Sequence, residues 1–153
     1  MKEAIDMKGR LSLRLTDRAG NLVHTFEANN AIVLTGRDLV ANLFVGAAEK
    51  PDWHIAVGSG TRPVNEVEDT RLEKEVLRKQ IQPIQLLKHI LTVNGRQQLT
   101  VSADLDFEEA NGTLTESGIF SASTEGIMYN RVTFPPVNKT KDFKLTLTWQ
   151  ILF

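Results

Sequence analysis

Apolar and polar positions alternate most regularly at the end of the chain. Phe143, Leu145, Leu147, Trp149, Ile151 and Phe153 take every second position, separated by Lys144, Thr146, Thr148 and Gln150, and only Leu152 interrupts. A period of two marks a strand with one buried and one polar face. Slipping this strand by one residue would turn two phenylalanines and a tryptophan to water, so a fixed register and a central place in a sheet are expected. With Phe153 closing the pattern, the end of the strand is expected to be tied into the sheet.

Earlier in the chain, Leu11, Leu13 and Leu15 alternate with polar residues, and Asp17-Arg18-Ala19-Gly20-Asn21 leads into Leu22-Val23-His24-Thr25-Phe26, a hairpin signal. Thr35 with Asp38 three residues on reads as a shortened capping box. It opens a helix of about three turns whose inner face is Leu39, Val40, Leu43, Phe44 and Ala47. Residues 53–57 predict a short strand, residues 61–69 an exposed loop and residues 70–79 a short charged helix or turn. In that helix Glu75 pairs with Arg78 and Lys79, while Leu72 and Val76 face inward. From Gln80 the apolar residues are irregular, and Pro83 places the segment at an edge or bulge. Asn94-Gly95 turns the chain into a cleanly alternating strand with Leu99, Val101, Ala103, Leu105 and Phe107 on one face. Asn111-Gly112, a strand at 114–120, a turn at 124–126 and a strand at 128–134 follow, the last ended by Pro135 and Pro136. About eight strands and one or two short α-helices predict a single mainly β domain over 1–153, an antiparallel β-sandwich (jelly-roll-like) or a small barrel.

Composition narrows the chemistry. A chain of 153 residues buries enough surface to need no covalent staple, and it has no cysteine for disulfides, thiolate metal sites or cysteine nucleophiles. The formal net charge of -1 supplies no field to draw it to nucleic acid or an anionic membrane. The mixed charges of residues 1–10 are unlike a secretory signal, and the apolar run at 39–48 is about half the ~20 residues of a membrane span. No nucleic-acid or membrane partner is expected.

No cofactor, metal or catalytic set emerges. Gly58-Ser59-Gly60-Thr61 follows a strand but lacks the lysine and the direct entry into a helix of a phosphate loop. Ser59 lacks the flanking glycines of a nucleophile elbow. Asp104, Asp106 and Glu108 share a strand face, but a calcium loop here would need Gly where Glu109 stands and Glu where Thr115 stands. His24, His54 and His89 fit no metal-ligand spacing. Asn111-Gly112-Thr113 and Asn138-Lys139-Thr140 match glycosylation acceptors without a secretory context. Trp149 belongs to the apolar face of the last strand, leaving Trp53 and Tyr129 as the aromatics expected to be exposed for contacts, such as stacking on a sugar.

Two stretches carry a resemblance. Ile55-Ala56-Val57-Gly58-Ser59-Gly60, a polar loop, then Thr70-x-Leu72-x-x-Glu75-x-x-Arg78, resembles a signature of tail-collar and tail-fibre-type proteins of tailed bacteriophages. The segments 114–120 and 128–140, followed by the closing alternating strand, are similar to small phage virion proteins with the same module. The resemblance covers about residues 53–153. It implies a non-enzymatic structural protein without cofactors, located in the virion and assembled in the host cytoplasm. Its implied partners are copies of itself and other virion proteins of the tail, baseplate, neck or major capsid. Glu75, Arg78, Glu116 and Arg131 within the motifs, with Trp53 and Tyr129, are the candidate structural or interface residues. The polar faces of Thr146, Thr148 and Gln150 and of Thr100, Ser102, Asp104 and Asp106, and the loop at 61–69, are further candidate contact surfaces. A capsid decoration protein and a glycan-binding module are the alternatives.

Overall fold

The computed structural model describes residues 7–153. Of the segment read as no secretory signal, residues 1–6 lie outside the described residues. The elements are β1 (Lys8–Asp17), β2 (Leu22–Ile32), α1 (Leu34–Phe44), β3 (His54–Gly58), β4 (Glu75–Gln80), α2 (Leu86–His89), β5 (Ile90–Val93), β6 (Arg96–Leu105), β7 (Gly112–Phe120), β8 (Met128–Lys139) and β9 (Phe143–Leu152). All nine strands hydrogen-bond into one antiparallel sheet, in the order β4-β3-β7-β8-β2-β1-β9-β6-β5. It is mainly β and curled into a half-barrel, as the alternation predicts.

The curl has a definite seam. β2 pairs along most of its length with β1, but with β8 only through Ala31↔Arg131 and Ile32↔Asn130. Two leaves joined at so narrow a strip fold towards each other, and their inner faces share one core. Leu11, Leu13, Leu15, Leu145, Leu147 and Trp149 come from one leaf, and Ile55, Val57, Leu114, Ile119 and Val132 from the other. Near the open side the Gln82 N–H donates to Ser102 O at 2.7 Å, linking the chain after β4 to β6.

β9 lies between β1 and β6 in the register that its alternation demands, Trp149 facing Leu11 on one side and Val101 on the other. Trp149 is fully buried, whereas Phe153 is half exposed and held by its N–H on Gln97 O. The two hairpins keyed by glycine also form as expected. Asn94 and Gly95 both take positive φ, 50° and 74°, the left-handed pair that a two-residue hairpin turn requires.

Four expectations need correction. Residues 75–80 form strand β4, not a helix: edge pairing with β3 along Ala56↔Arg78 and Val57↔Leu77 overrides the helical charge spacing. Thr35 does not cap α1. The cap position is Val33, and the Thr35 hydroxyl donates instead to Met128 O at 2.8 Å, so the helix start is held by tertiary contacts. On α1 Leu39 is buried, but Phe44 is 92% exposed, because the helix ends there and leaves the sheet. Finally, β8 does not stop at Pro135. A register shift between Leu114↔Val137 and Glu116↔Thr133 places surplus residues of β8, including both prolines, in a bulge where no ladder N–H is required of them.

Candidate functional site

The residues of the resemblance motifs converge on the outer face of β4-β3-β7-β8. Arg131, Gly118, Ala56 and Arg78 form one row across these four strands. Gly118 and Ala56 make a low floor with an arginine at each end. A Cβ on Gly118 would lie 2.6 Å from Asn130 O and 3.4 Å from a Leu72 methyl, so the floor admits no larger residue. Leu72, Phe120, Met128 and Val33 pack on it as a second, smaller core.

Arg131 is 0% exposed, and burial of a guanidinium is tolerated only when its donors are met. Its Nε and Nη2 donate to Glu116 Oε2 at 3.1 and 3.0 Å, Nη1 to Asp69 Oδ2 at 3.0 Å, and Nη2 also to Arg62 O at 2.8 Å. Glu116, equally buried, receives the backbone N–H groups of Gly60 (3.0 Å), Lys74 (2.7 Å) and Glu73 (3.1 Å). Asp69 accepts from Arg62 Nη1 at 2.6 Å and from the Asn65 N–H at 2.9 Å. Burial pushes the Asp69 carboxyl up, but the Asn65 N–H and the Arg62 and Arg131 guanidiniums outweigh it and leave it below the ordinary carboxylate value. The segment 59–74 is thereby pinned on the sheet at both ends and in the middle.

The glycines of Gly58-Ser59-Gly60 have a matching explanation. A Cβ on Gly60 would come within 2.5 Å of Glu116 Oε1, and on Gly58 within 2.3 Å of Lys74 O. The chain's own carboxylate receives the Gly60 N–H that a phosphate loop would offer to an anion.

At the other end of the row, Arg78 bonds Glu75 through Nη2 at 2.7 Å and Nε at 3.2 Å. Residues three apart normally face opposite sides of a strand. Here a register shift at Val57/Gly58 makes Val76 surplus, which returns Glu75 to the face of Arg78 and leaves Val76 exposed rather than inward. The Arg78 guanidinium stacks 3.9 Å over the Phe120 ring and donates to Ala122 O and Glu125 O, fixing the β7–β8 turn. Lys79 pairs instead with Glu109 at 2.5 Å, which raises its pKa. The nearby β6–β7 turn is held also by buried Lys139, whose Nζ donates to Asp106 O and Asn111 Oδ1 at 2.7 and 2.9 Å.

Trp53 and Tyr129 meet edge to face, ring centroids 6.1 Å apart, but in the core. Tyr129 is only 3% exposed and Trp53 half-buried, which corrects the expectation of two exposed contact aromatics. The cause is a second bulge at Ile119/Phe120. It makes Tyr129 the surplus residue of β8, and the Asn130 Oδ1 accepts the Ile119 N–H at 2.8 Å. The loop at 61–69 is likewise not wholly an exposed surface, since it ends in buried Asp69.

The polar faces of β9 and β6 do point outward together, with Thr148 paired to Ser102 and the Thr146 hydroxyl donating to Asp104 at 2.7 Å. Asp104 bonds Lys144 as well, while Asp106 and Glu108 lie beyond the strand in the turn. Among the described residues no group of three or more His, Asp or Glu is arranged to hold a metal ion. His24 lies against Phe26 with the rings tilted by 58°, His54 is buried with Nδ1 2.7 Å from Asp52 O, and His89 accepts the Gln85 N–H. No described helix is long and apolar enough to cross a membrane.

What the sequence pattern concealed is an exposed apolar edge of the sheet. Residues 86–93, in the segment read from the sequence as beginning at an edge or bulge, form α2 and the edge strand β5, which pairs with β6 on one side and, among the described residues, has no strand on the other. Leu87 is 96% exposed, and Ile84, Leu86, Ile90, Leu91 and Val93 are also open. The irregular spacing of these residues, matching neither period, was the available signal. Comparison with protein-family models, curated proteins and solved structures gives no match.

Proposed function

We propose that this protein is a non-enzymatic structural subunit of a tailed-phage particle, associating with its own copies and with a scaffold in the tail, baseplate, collar or neck. The observation that carries this reading is the exposed apolar edge formed by α2 and β5. Fully burying one leucine is worth about 1.5–3 kcal/mol, so a sheet edge with several open aliphatic residues is a surface built for a protein contact. The motif cluster supports the same reading from the other direction. Its buried arginine and carboxylates bond one another and the backbone of 59–74, as in a rigid part rather than a reactive one. The glycan-binding alternative loses its two exposed aromatics.

Sedimentation of the purified protein tests the contact. The native chain is expected to sediment as an oligomer and Leu87→Asp as a monomer with an unchanged circular dichroism spectrum. A monomeric native chain at all concentrations would remove the self-association. Antibody-gold labelling of purified particles then tests location: label at the tail, neck or baseplate agrees with the proposal, label over the head moves the role to capsid decoration, and no label rejects a virion protein.

A further inference from the structure

The larger leaf, β2-β1-β9-β6-β5, ends at β2 and β5, and the smaller, β4-β3-β7-β8, at β4 and β8. A free strand edge is a template for another chain, and proteins close such edges with charges, bulges or proline. Among the described residues, three of the four edges carry these closures. β4 has the surplus Val76 and the charges of Glu75, Arg78 and Lys79. β8 has Pro135 and Pro136 in its bulge. β2 has a surplus Val23 at the register shift opposite Leu15/Thr16, carries Glu27, and reaches β8 at its end. β5, Ile90-Leu91-Thr92-Val93, has no charge, no proline and no bulge, and all four residues are exposed.

The backbone of β5 is set for one more strand. The Asn94-Gly95 turn makes Val93 and Arg96 a hydrogen-bonded pair, and in an antiparallel ladder such pairs alternate. Leu91 therefore bonds Gln98, whereas Ile90 and Thr92 aim their backbone groups at the open edge. The Ile90 N–H is taken by Leu86 O at the end of α2, so Thr92 is the residue that offers both N–H and C=O. We propose that β5 pairs with β5 of a second copy of the chain, antiparallel about a two-fold axis at Thr92. In that register each Thr92 N–H meets the C=O of the other Thr92, and Leu91 of each copy lies opposite Val93 of the other on the outer face. Apolar residues meet apolar residues, and no charge within the strand opposes a like charge. Because the other edges are closed to strand addition, the contact joins copies in pairs and does not propagate. The inference rests on the self-association proposed above and names its surface and symmetry.

Thr92→Pro removes the outward N–H and leaves the bonds of Leu91 and Val93 to β6 in place, as proline permits on an edge strand. Native protein is expected to sediment as a dimer, and Thr92→Pro as a monomer with an unchanged circular dichroism spectrum. Thr92→Cys tests the register without relying on loss of association. The chain has no cysteine of its own, and hydrogen-bonded partners stand about 5.5 Å apart at Cα, within reach of a disulfide. Under mild oxidation Thr92→Cys is expected to form a covalent dimer about tenfold faster than Val67→Cys, an exposed site in the loop at 61–69. A native oligomer that persists in Thr92→Pro, with Thr92→Cys crosslinking no faster than Val67→Cys, overturns the β5 pairing and leaves self-association to another surface. A native chain that is monomeric at all concentrations leaves the edge to a different protein and overturns both the pairing and the self-association.

Discussion

Arg131 illustrates how much of the fold can depend on one side chain that makes no contact with water. It joins two carboxylates from distant parts of the chain, and Glu116 in turn receives three backbone N–H groups of the covering segment. Replacing the whole set by apolar residues would orphan those amides, so the hydrophobic substitution that often matches a buried ion pair is not open here. Arg131→Ala is expected to destabilise the protein by about 3–5 kcal/mol, since it leaves Glu116 buried without its cation and Asp69 with Arg62 alone. Urea denaturation measures it; a loss below ~1 kcal/mol would mean that water reaches the site and that the pair is ordinary surface electrostatics. Arg131 and Glu116 stood out in the sequence through the motifs that contain them. Asp69 did not, because a loop rich in polar residues hides which of its carboxylates turns inward.

At the scale of elements, alternation was a reliable guide where a strand has one wet and one dry face, as in β1, β6 and β9. It misled where both faces are covered or a bulge intervenes. β4 carries charges at helical spacing, and a single surplus residue preserved the Glu75–Arg78 partnership on a strand. In β8 two bulges absorb Tyr129 and the prolines, and nothing in residue order announces a bulge before its partner strand is known. The helix makes the point about energetics. Gly36 sits inside α1, where alanine would normally be preferred by about 1 kcal/mol. A Cβ there would stand 2.1 Å from the Tyr129 carbonyl oxygen, forcing the helix off β8, and overpacking of this kind costs typically 1–3 kcal/mol or more. Gly36→Ala is therefore expected to lower the urea midpoint despite its higher helix propensity. A raised midpoint would show α1 to be loosely docked.

For the molecule as a whole, protection from solvent follows the strand order. β9, paired on both sides and carrying the fully buried Trp149, is expected to show the slowest amide exchange of the strands, and the edge strand β5 the fastest in the isolated protein. Hydrogen exchange read by mass spectrometry checks this ranking, and slow exchange at β5 in a monomer would mean that its one-sided pairing with β6 opens no more readily than the interior of the sheet. Mainly β architecture was legible from turn spacing, whereas the strand order was not, because pairings between distant segments leave no local trace. That order also bears on how the protein is made. The strand that joins the first hairpin to β6 in the larger leaf comes after them in chain order, and its Leu152 pairs with Lys8 at the start of β1. Until it arrives, Leu11, Leu13 and Leu15 of the first hairpin have no partner strand on one side, and loop closure must span nearly the whole chain. Slow folding follows, with an interval in which an unfinished edge is exposed to aggregation and to chaperones.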